Sequence, residues 1–201
     1  MSTSARVARL IVLACFVAST TAVAQRARPR FGVGLGLTAP TGDYHADSFG
    51  DGFNIGWQGL AYVDVRSPGK PIGFRGELSY GENPANQQLK ADVSAGVGQS
   101  VGIKMKMGSA NLNVLYHATR AARGGGAYAL GGIGIYRPAL SLKIGGITAD
   151  STESKFGWNV GGGVTHAAQK ATTFLELRYC SVSDAFGMKL PFFALRAGLT
   201  F

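Results

Sequence analysis

Lys189-Leu-Pro-Phe-Phe-Ala-Leu-Arg-Ala-Gly-Leu-Thr-Phe201, the closing segment, decides how the rest of the chain is read. From Phe193 onward alternate residues are apolar: Phe193, Leu195, Ala197, Leu199 and Phe201. The residues between them, Ala194, Arg196, Gly198 and Thr200, are small or polar. Side chains of a strand point alternately to two faces, so this segment has one greasy face and one mixed face. In a water-soluble sheet the greasy face meets a second layer of protein. A chain that stops on such a strand, at an aromatic residue, points to lipid as the partner instead. One strand is a weak signal, and the reading depends on its recurrence upstream.

The alternation predicts seven more strands. The first covers 31–40, with Phe31, Val33, Leu35 and Leu37 on one face and glycines and Thr38 on the other. The second, 53–66, directs Phe53, Ile55, Trp57, Ala61, Val63 and Val65 outward and Asn54, Gln58, Tyr62 and Asp64 inward. The third, 72–81, opposes Phe74, Leu78 and Tyr80 to Arg75, Glu77 and Ser79. Residues 82–100 show no clear period. The fourth strand reads cleanly over 110–118, with Leu112, Val114 and Tyr116 outward. Just before it, Val101, Ile103, Met105 and Met107 follow the opposite parity. That implies a β-bulge at Gly108-Ser109, or a hairpin reaching beyond the bilayer. In the fifth, 127–137, Tyr128 and Tyr136 share a parity, and their separation matches roughly 20 Å of depth at ~3.3 Å per residue and ~40° tilt. The even residues are therefore expected to face lipid, with Ile133 and Ile135 inward. The sixth strand sets Phe156, Trp158, Val160 and Val164 outward; the seventh does the same with Thr173, Leu175, Leu177 and Tyr179, leaving Glu176, Arg178 and Cys180 inward.

The amino terminus is a separate matter. Arg6 and Arg9, an apolar core from Leu10 to Val17 and the Ala22-Val23-Ala24 site fit a secretory signal over 1–24, cleaved after Ala24. Residues 25–30 form a short basic lead, and 31–201 one domain. Cys15 lies in a poor match to a lipoprotein signal; with it removed, Cys180 is the only thiol and no intrachain disulfide can form. The formal charge is +9, from 20 Lys and Arg against 11 acidic residues. These charges are scattered along an exported chain, which argues against a nucleic-acid partner and for a surface that is solvated or set against anionic lipid head groups. No later run is apolar enough for a transmembrane helix. Backbone groups in lipid must all be paired, so an exported membrane protein without such helices has to close its strands into a barrel.

Eight strands is an even number, and the connections alternate long and short, as external loops and periplasmic turns do. A soluble β-sandwich or lipocalin-like barrel also uses short strands. The placement of aromatics near strand ends on the outward parity separates the two. Trp57, Tyr80, Tyr116, Tyr128, Tyr136, Trp158 and Tyr179 make the expected aromatic girdle.

Across 31–201 the chain resembles the small outer-membrane β-barrel family of the OmpA/OmpX type. The resemblance is carried by Pro40-Thr-Gly-Asp43, Arg75-Gly-Glu77, Tyr128-Ala-Leu-Gly-Gly-Ile-Gly134, Gly161-Gly-Gly-Val164, Glu176-Leu-Arg-Tyr179 and the terminal Phe201. It implies an all-β, eight-stranded, antiparallel up-and-down transmembrane barrel in the outer membrane, surrounded by its lipids and lipopolysaccharide. It also implies that Phe201, with Leu199 and Phe193, is the signal read by the barrel-assembly machinery. Unlike full-length OmpA relatives, the sequence carries no peptidoglycan-binding domain after the barrel. A monomer without cofactor is expected.

Chemistry is sparse. Asp64, Arg75, Glu77, Glu176, Arg178 and Arg196 fall at similar depth on inward parities, three arginines facing three carboxylates. An eight-stranded barrel is only just wide enough for its own side chains, so these charges have to pair. Gly32, Gly34, Gly161 and Gly163 would leave room for the arginines. The network reads as a plug that fills the lumen, or alternatively as a gate in a narrow conduit. His45, His117 and His166 are tied by no pattern to a serine and a carboxylate, which leaves a lipid A-modifying enzyme as the weaker alternative. Asp43, His45, Asp47 and Asp51 match no calcium-loop spacing, and no phosphate loop occurs. No metal or catalytic residue is therefore assigned, and a non-enzymatic structural or adhesive surface protein is the expected function.

Overall fold

Period-two alternation produces strands wherever it occurs, and in the computed structural model these strands run longer than the alternation alone suggests. Residues 28–45, 52–118, 125–168 and 171–201 are described. The proposed signal segment, Asp47, Asp51 and most of the turn after His117 lie outside them. The strands are β1 (Arg28–Pro40), β2 (Gly56–Arg66), β3 (Ile72–Pro84), β4 (Val101–His117), β5 (Gly125–Ile144), β6 (Ile147–Thr152), β7 (Lys155–Ala167), β8 (Thr172–Ala185) and β9 (Met188–Thr200). Each is hydrogen-bonded antiparallel to its neighbours in the order β4-β3-β2-β1-β9-β8-β7-β5-β6, and β4 also pairs with β5. That last pairing closes the sheet. β6 pairs only with the far half of β5, so eight strands form the wall and the ninth is a hairpin arm beyond it. The chain is an eight-stranded antiparallel β-barrel.

One end of the barrel, the turn end, carries the short connection 67–71 and both ends of the sheet at Arg28 and Phe201. The other, the loop end, carries a 3-10 turn (Gly42–Tyr44), the helix α1 (Gln87–Val97) and the β5–β6 hairpin. α1 occupies the stretch without period. Asn86 caps its start by accepting from the Leu89 amide at 2.9 Å, and Gly98 ends it with φ 71°. The fourth loop-end connection is only the pair Phe186-Gly187, both at positive φ, so the expected long–short alternation fails there.

Inside and outside are inverted relative to a soluble protein. Leu35, Leu78 and Leu112 are 65–71 % exposed, whereas Arg178 is fully buried. Phe193, Leu195, Leu199 and Phe201 all lie on the outer face. No helix among the described residues is long and apolar enough to cross a membrane, which says nothing of strands.

Three facing expectations are corrected. In β5 the odd residues face outward: Ile133 and Ile135 are exposed, while Tyr128, Leu130 and Tyr136 are buried. Tyr128 and Tyr136 therefore leave the girdle. The cause is polarity and space. The Tyr128 hydroxyl donates to Glu176 Oε2 at 2.8 Å inside the lumen, and glycines at 163 and 157 make room for the two rings. The isoleucines carry no polar atom and lose nothing in lipid. β4 has no bulge at Gly108-Ser109. Its pairing with β3 and β5 runs unbroken, and Val101 to Met107 share the inward parity of Asn111 and Asn113. The greasy parity switches because the barrel interior turns apolar toward the loop end, where Val101, Ile103, Met105 and Met107 join a buried cluster. Phe53 lies outside β2 and is 2 % exposed, its ring packed at a tilt with its centroid 5.4 Å from that of Tyr44, whereas Asn54, expected inward, is exposed.

Candidate functional site

The lumen is built in three layers, and its middle is the charged constellation. β2 and β3 set Asp64 directly opposite Arg75, and β8 and β9 set Glu176 opposite Arg196. Arg75 grips Asp64 with two hydrogen bonds, Nε to Oδ1 at 2.7 Å and Nη2 to Oδ2 at 2.9 Å. Its remaining nitrogen, Nη1, crosses the lumen to Glu176 Oε2 at 3.0 Å. Arg178 donates to Glu176 Oε1 from Nε and Nη2 at 3.0 and 2.7 Å, and to both oxygens of Glu77 at 3.0 Å. Arg196 reaches Glu77 Oε1 at 2.7 Å and Gln58 Oε1 at 3.0 Å. Apart from Asp64, every charged member is at most 3 % exposed. Three guanidinium forks match three carboxylates, so the layer is neutral; Arg75 and Arg178 direct their donors to carboxylates, and Arg196 Nε is left buried without a partner among the described residues.

Two further members join it. Tyr62 lays its ring 3.8 Å from the Arg75 guanidinium carbon, a cation–π contact, and Tyr128 donates to Glu176. The inward parity of Tyr62 is visible in the sequence, but its depth beside Arg75 is not. The expected use of glycines is also refined. Gly161 does accommodate Arg178, but Gly32 and Gly163 lie under the rings of Tyr62 and Tyr128 and Gly34 under Phe174.

Above the charges, toward the loop end, the lumen is filled mainly by apolar side chains, with Asn83 Oδ1 among them accepting from the Thr38 and Tyr44 hydroxyls at 3.1 Å each. Tyr44, Phe53, Met105, Leu190 and Phe192 form a buried cluster with Val101, Ile103, Val182 and Cys180, and Leu89 and Val93 of α1 pack onto it. A cavity of about 10 Å³ between this cap and Arg196 has room for about one water. Below the charges, a recess of about 260 Å³ opens at the turn end between Arg30, Tyr62, Asp64, Arg66, Arg75 and His117. His45 and His166 lie elsewhere, at the 3-10 turn and late in β7, so the three histidines occupy three separate places. Among the described residues no cluster of three or more His, Cys, Asp or Glu is placed to hold a metal.

The outer face carries the remaining aromatics. Trp57 packs against Tyr80 at 6.1 Å, and Trp158, Tyr179 and Phe193 form a row with centroids 5.6 and 5.1 Å apart. Both groups lie in the loop-end half. Tyr116 is exposed near the turn end of β4. Phe193 of β9 and Phe201, which directly follows that strand, are both outward and eight residues apart; at ~3.3 Å per residue and ~40° tilt that is roughly 20 Å of depth. The depth argument thus passes from Tyr128 and Tyr136 to these two residues.

A search of curated proteins finds no match to the sequence. Among solved structures, the chain is similar to Neisserial surface protein A, from Neisseria, with 14% identity over 87% of this chain and 97% of that one and a TM-score of 0.59. It is also similar to a major outer membrane protein from Thermus thermophilus, with 14% identity, coverage of 87% and 99%, and a TM-score of 0.53. At such identity the likeness speaks for the fold alone. The family of outer membrane protein beta-barrel domains matches residues 10–201, which places the apolar belt in an outer membrane, and the chain belongs to that family.

Proposed function

We propose that the protein is a non-enzymatic integral outer-membrane barrel with a structural or surface-display role, and that its lumen is sealed by its own side chains. The observation that carries this reading is the unbroken run Arg75–Glu176–Arg178–Glu77–Arg196 lying directly beneath the apolar cap. An ion crossing the barrel would have to break several buried pairs and then enter hydrocarbon. The loop-end elements are left as the surface offered to the outside, for adhesion or another interaction. In the membrane the barrel is a monomer ringed by lipid and lipopolysaccharide. Phe201, Leu199 and Phe193 serve the assembly machinery during insertion, after export and cleavage following Ala24.

The test is conductance of the purified barrel in a planar bilayer. The sealed lumen gives no steady current, and a reproducible single-channel step would overturn it. A narrow pore is the second reading, favoured by the recess that opens at the turn end and reaches Asp64 and Arg75. It predicts current that rises when Glu77 is replaced by Gln. A lipid A-modifying enzyme would instead change the lipid A mass profile when the protein is deleted, with no change expected here.

A further inference from the structure

β4 and β5, at 17 and 20 residues, are the longest strands of the wall, and the outer face that they form with β3 carries two features stacked one above the other. The lower one is an apolar groove of about 620 Å³ lined by Leu78, Ala110, Leu112, Ile133, Ile135 and Phe156. It is concave because Gly76 and Ala110 are small where their neighbours are large, and the nearest atom to a Cβ at Gly76 would be Leu112 Cδ2 at 4.0 Å. The upper one, further along the same strands toward the loop end, is a recess of about 530 Å³ bordered by Lys90, Lys104, Lys106 and Lys143. Lys106 and Ala110 lie four residues apart on β4, a rise of ~13 Å. Tyr80, an outward aromatic of the interface, stands at the level between them, paired with Gly108.

We infer that this wall is a binding site for a single multiply acylated, phosphorylated glycolipid of the outer leaflet, the lipid A portion of lipopolysaccharide, with its phosphates on the lysines and an acyl chain in the groove. This rests on the reading of the barrel as an outer-membrane protein with lipopolysaccharide around it, and adds where the lipid is held. Three observations choose the occupant. The groove is continuous with the lipid-facing belt, so hydrocarbon fills it. The lysines are at the loop end, which is the external side of such barrels, and so face the outer leaflet's head groups. Two carboxylates are present, Glu82 on Lys104 at 2.9 Å and Asp150 on Lys106 at 3.2 Å. Lys90 and Lys143 have no carboxylate partner among the described residues, so the patch keeps a positive excess. An anionic head group is drawn to such a patch just outside the hydrocarbon.

The experiment uses the full barrel in phosphatidylcholine nanodiscs, with bound lipid counted by native mass spectrometry and folding followed by heat-modifiability gels of the same samples. Bisphosphorylated lipid A should be retained at one per barrel. Its fully dephosphorylated form should bind at least about tenfold more weakly, and phosphatidylglycerol should not displace it at equal concentration. The triple variant Lys104→Gln, Lys106→Gln, Lys143→Gln should lose binding to a similar degree, and Gly76→Leu with Ala110→Leu, which fills the groove, should also reduce it. Equal retention of the dephosphorylated lipid overturns the proposal, as does displacement by phosphatidylglycerol or unchanged binding by both variants. If a variant fails to fold, the comparison of lipids on the wild-type barrel still decides. A barrel that shifts on heating but shows no preference sinks the site alone; one that never shifts sinks the outer-membrane reading beneath it.

Discussion

Glu176 is the residue on which the lumen turns, because it accepts hydrogen bonds from Arg75, Arg178 and Tyr128 at once. Replacing it with Gln removes the charge while keeping the shape, leaving three guanidinium groups to share the two remaining carboxylates, Asp64 and Glu77. Breaking a buried pair from one side costs about 3–5 kcal/mol. Glu176→Gln should therefore unfold at clearly lower urea concentration in detergent, and an unchanged midpoint would mean the charges are compensated elsewhere. Gly32 makes a second, purely steric case. A Cβ there would run into the ring of Tyr62, since the two residues are directly paired across β1 and β2. Gly32→Ala should cost about 1–3 kcal/mol by overpacking. In a Tyr62→Ala background most of that cost should vanish, and a double-mutant cycle measures the difference as coupling. If the cost persists without the ring, the glycine is there for its backbone and not for the space.

Among the elements, those with one polar and one apolar face are legible from residue types alone. β1, β2, β3 and β7 meet lipid outside and mainly small or polar groups inside, and β8 and β9 do so as far as the cap, where Val182, Leu190 and Phe192 turn inward; over those spans the alternation has one meaning. β5 is different because both its parities carry apolar side chains, and period two cannot say which is in. Only the tyrosine hydroxyl and the glycine opposite it settle the facing, and both depend on neighbours distant in sequence. β4 misleads for the opposite reason: its inner face is polar among the charges and apolar in the cap, so the greasy parity switches while the strand does not. α1 leaves a signal in its Asn86 and Gly98 caps, but between them only Leu89 and Val93 touch the core. The charged constellation is readable because depth follows from counting along strands. The cap is not, since it gathers apolar side chains from strand ends and loops that no single period connects. The β5–β6 arm adds a prediction at this scale. Hydrogen bonds from Ser141 and Lys106 hold the Asp150 carboxyl below the usual aspartate range. Its contribution is then present above the ordinary aspartate pKa and is lost as pH falls through the depressed one. Asp150→Asn should remove the same contribution at neutral pH, making the arm a faster target for limited proteolysis than in the wild type. Equal cleavage would show that backbone pairing alone holds it.

For the molecule as a whole, the arrangement of solvents is the claim most open to measurement. Hydrocarbon lies outside the wall, charge inside its middle, and hydrocarbon again inside its loop end. The two tryptophans, Trp57 and Trp158, are the only ones in the chain and are 49 % and 44 % exposed on the outer face. Indole rings prefer the boundary where one edge is apolar and the N–H remains wet, and their neighbours Tyr80 and Tyr179 share that preference. Reconstitution into vesicles of phospholipids brominated along the acyl chain should therefore quench the emission of both. Bromines near the head-group end should quench more than bromines near the chain end, because the rings sit toward the edge of the belt. Trp57→Phe and Trp158→Phe each isolate one indole, so the two sides of the barrel can be read separately. A soluble sandwich of the same strands would bury these rings in protein, and bromination would then leave their emission unchanged wherever the bromine was placed.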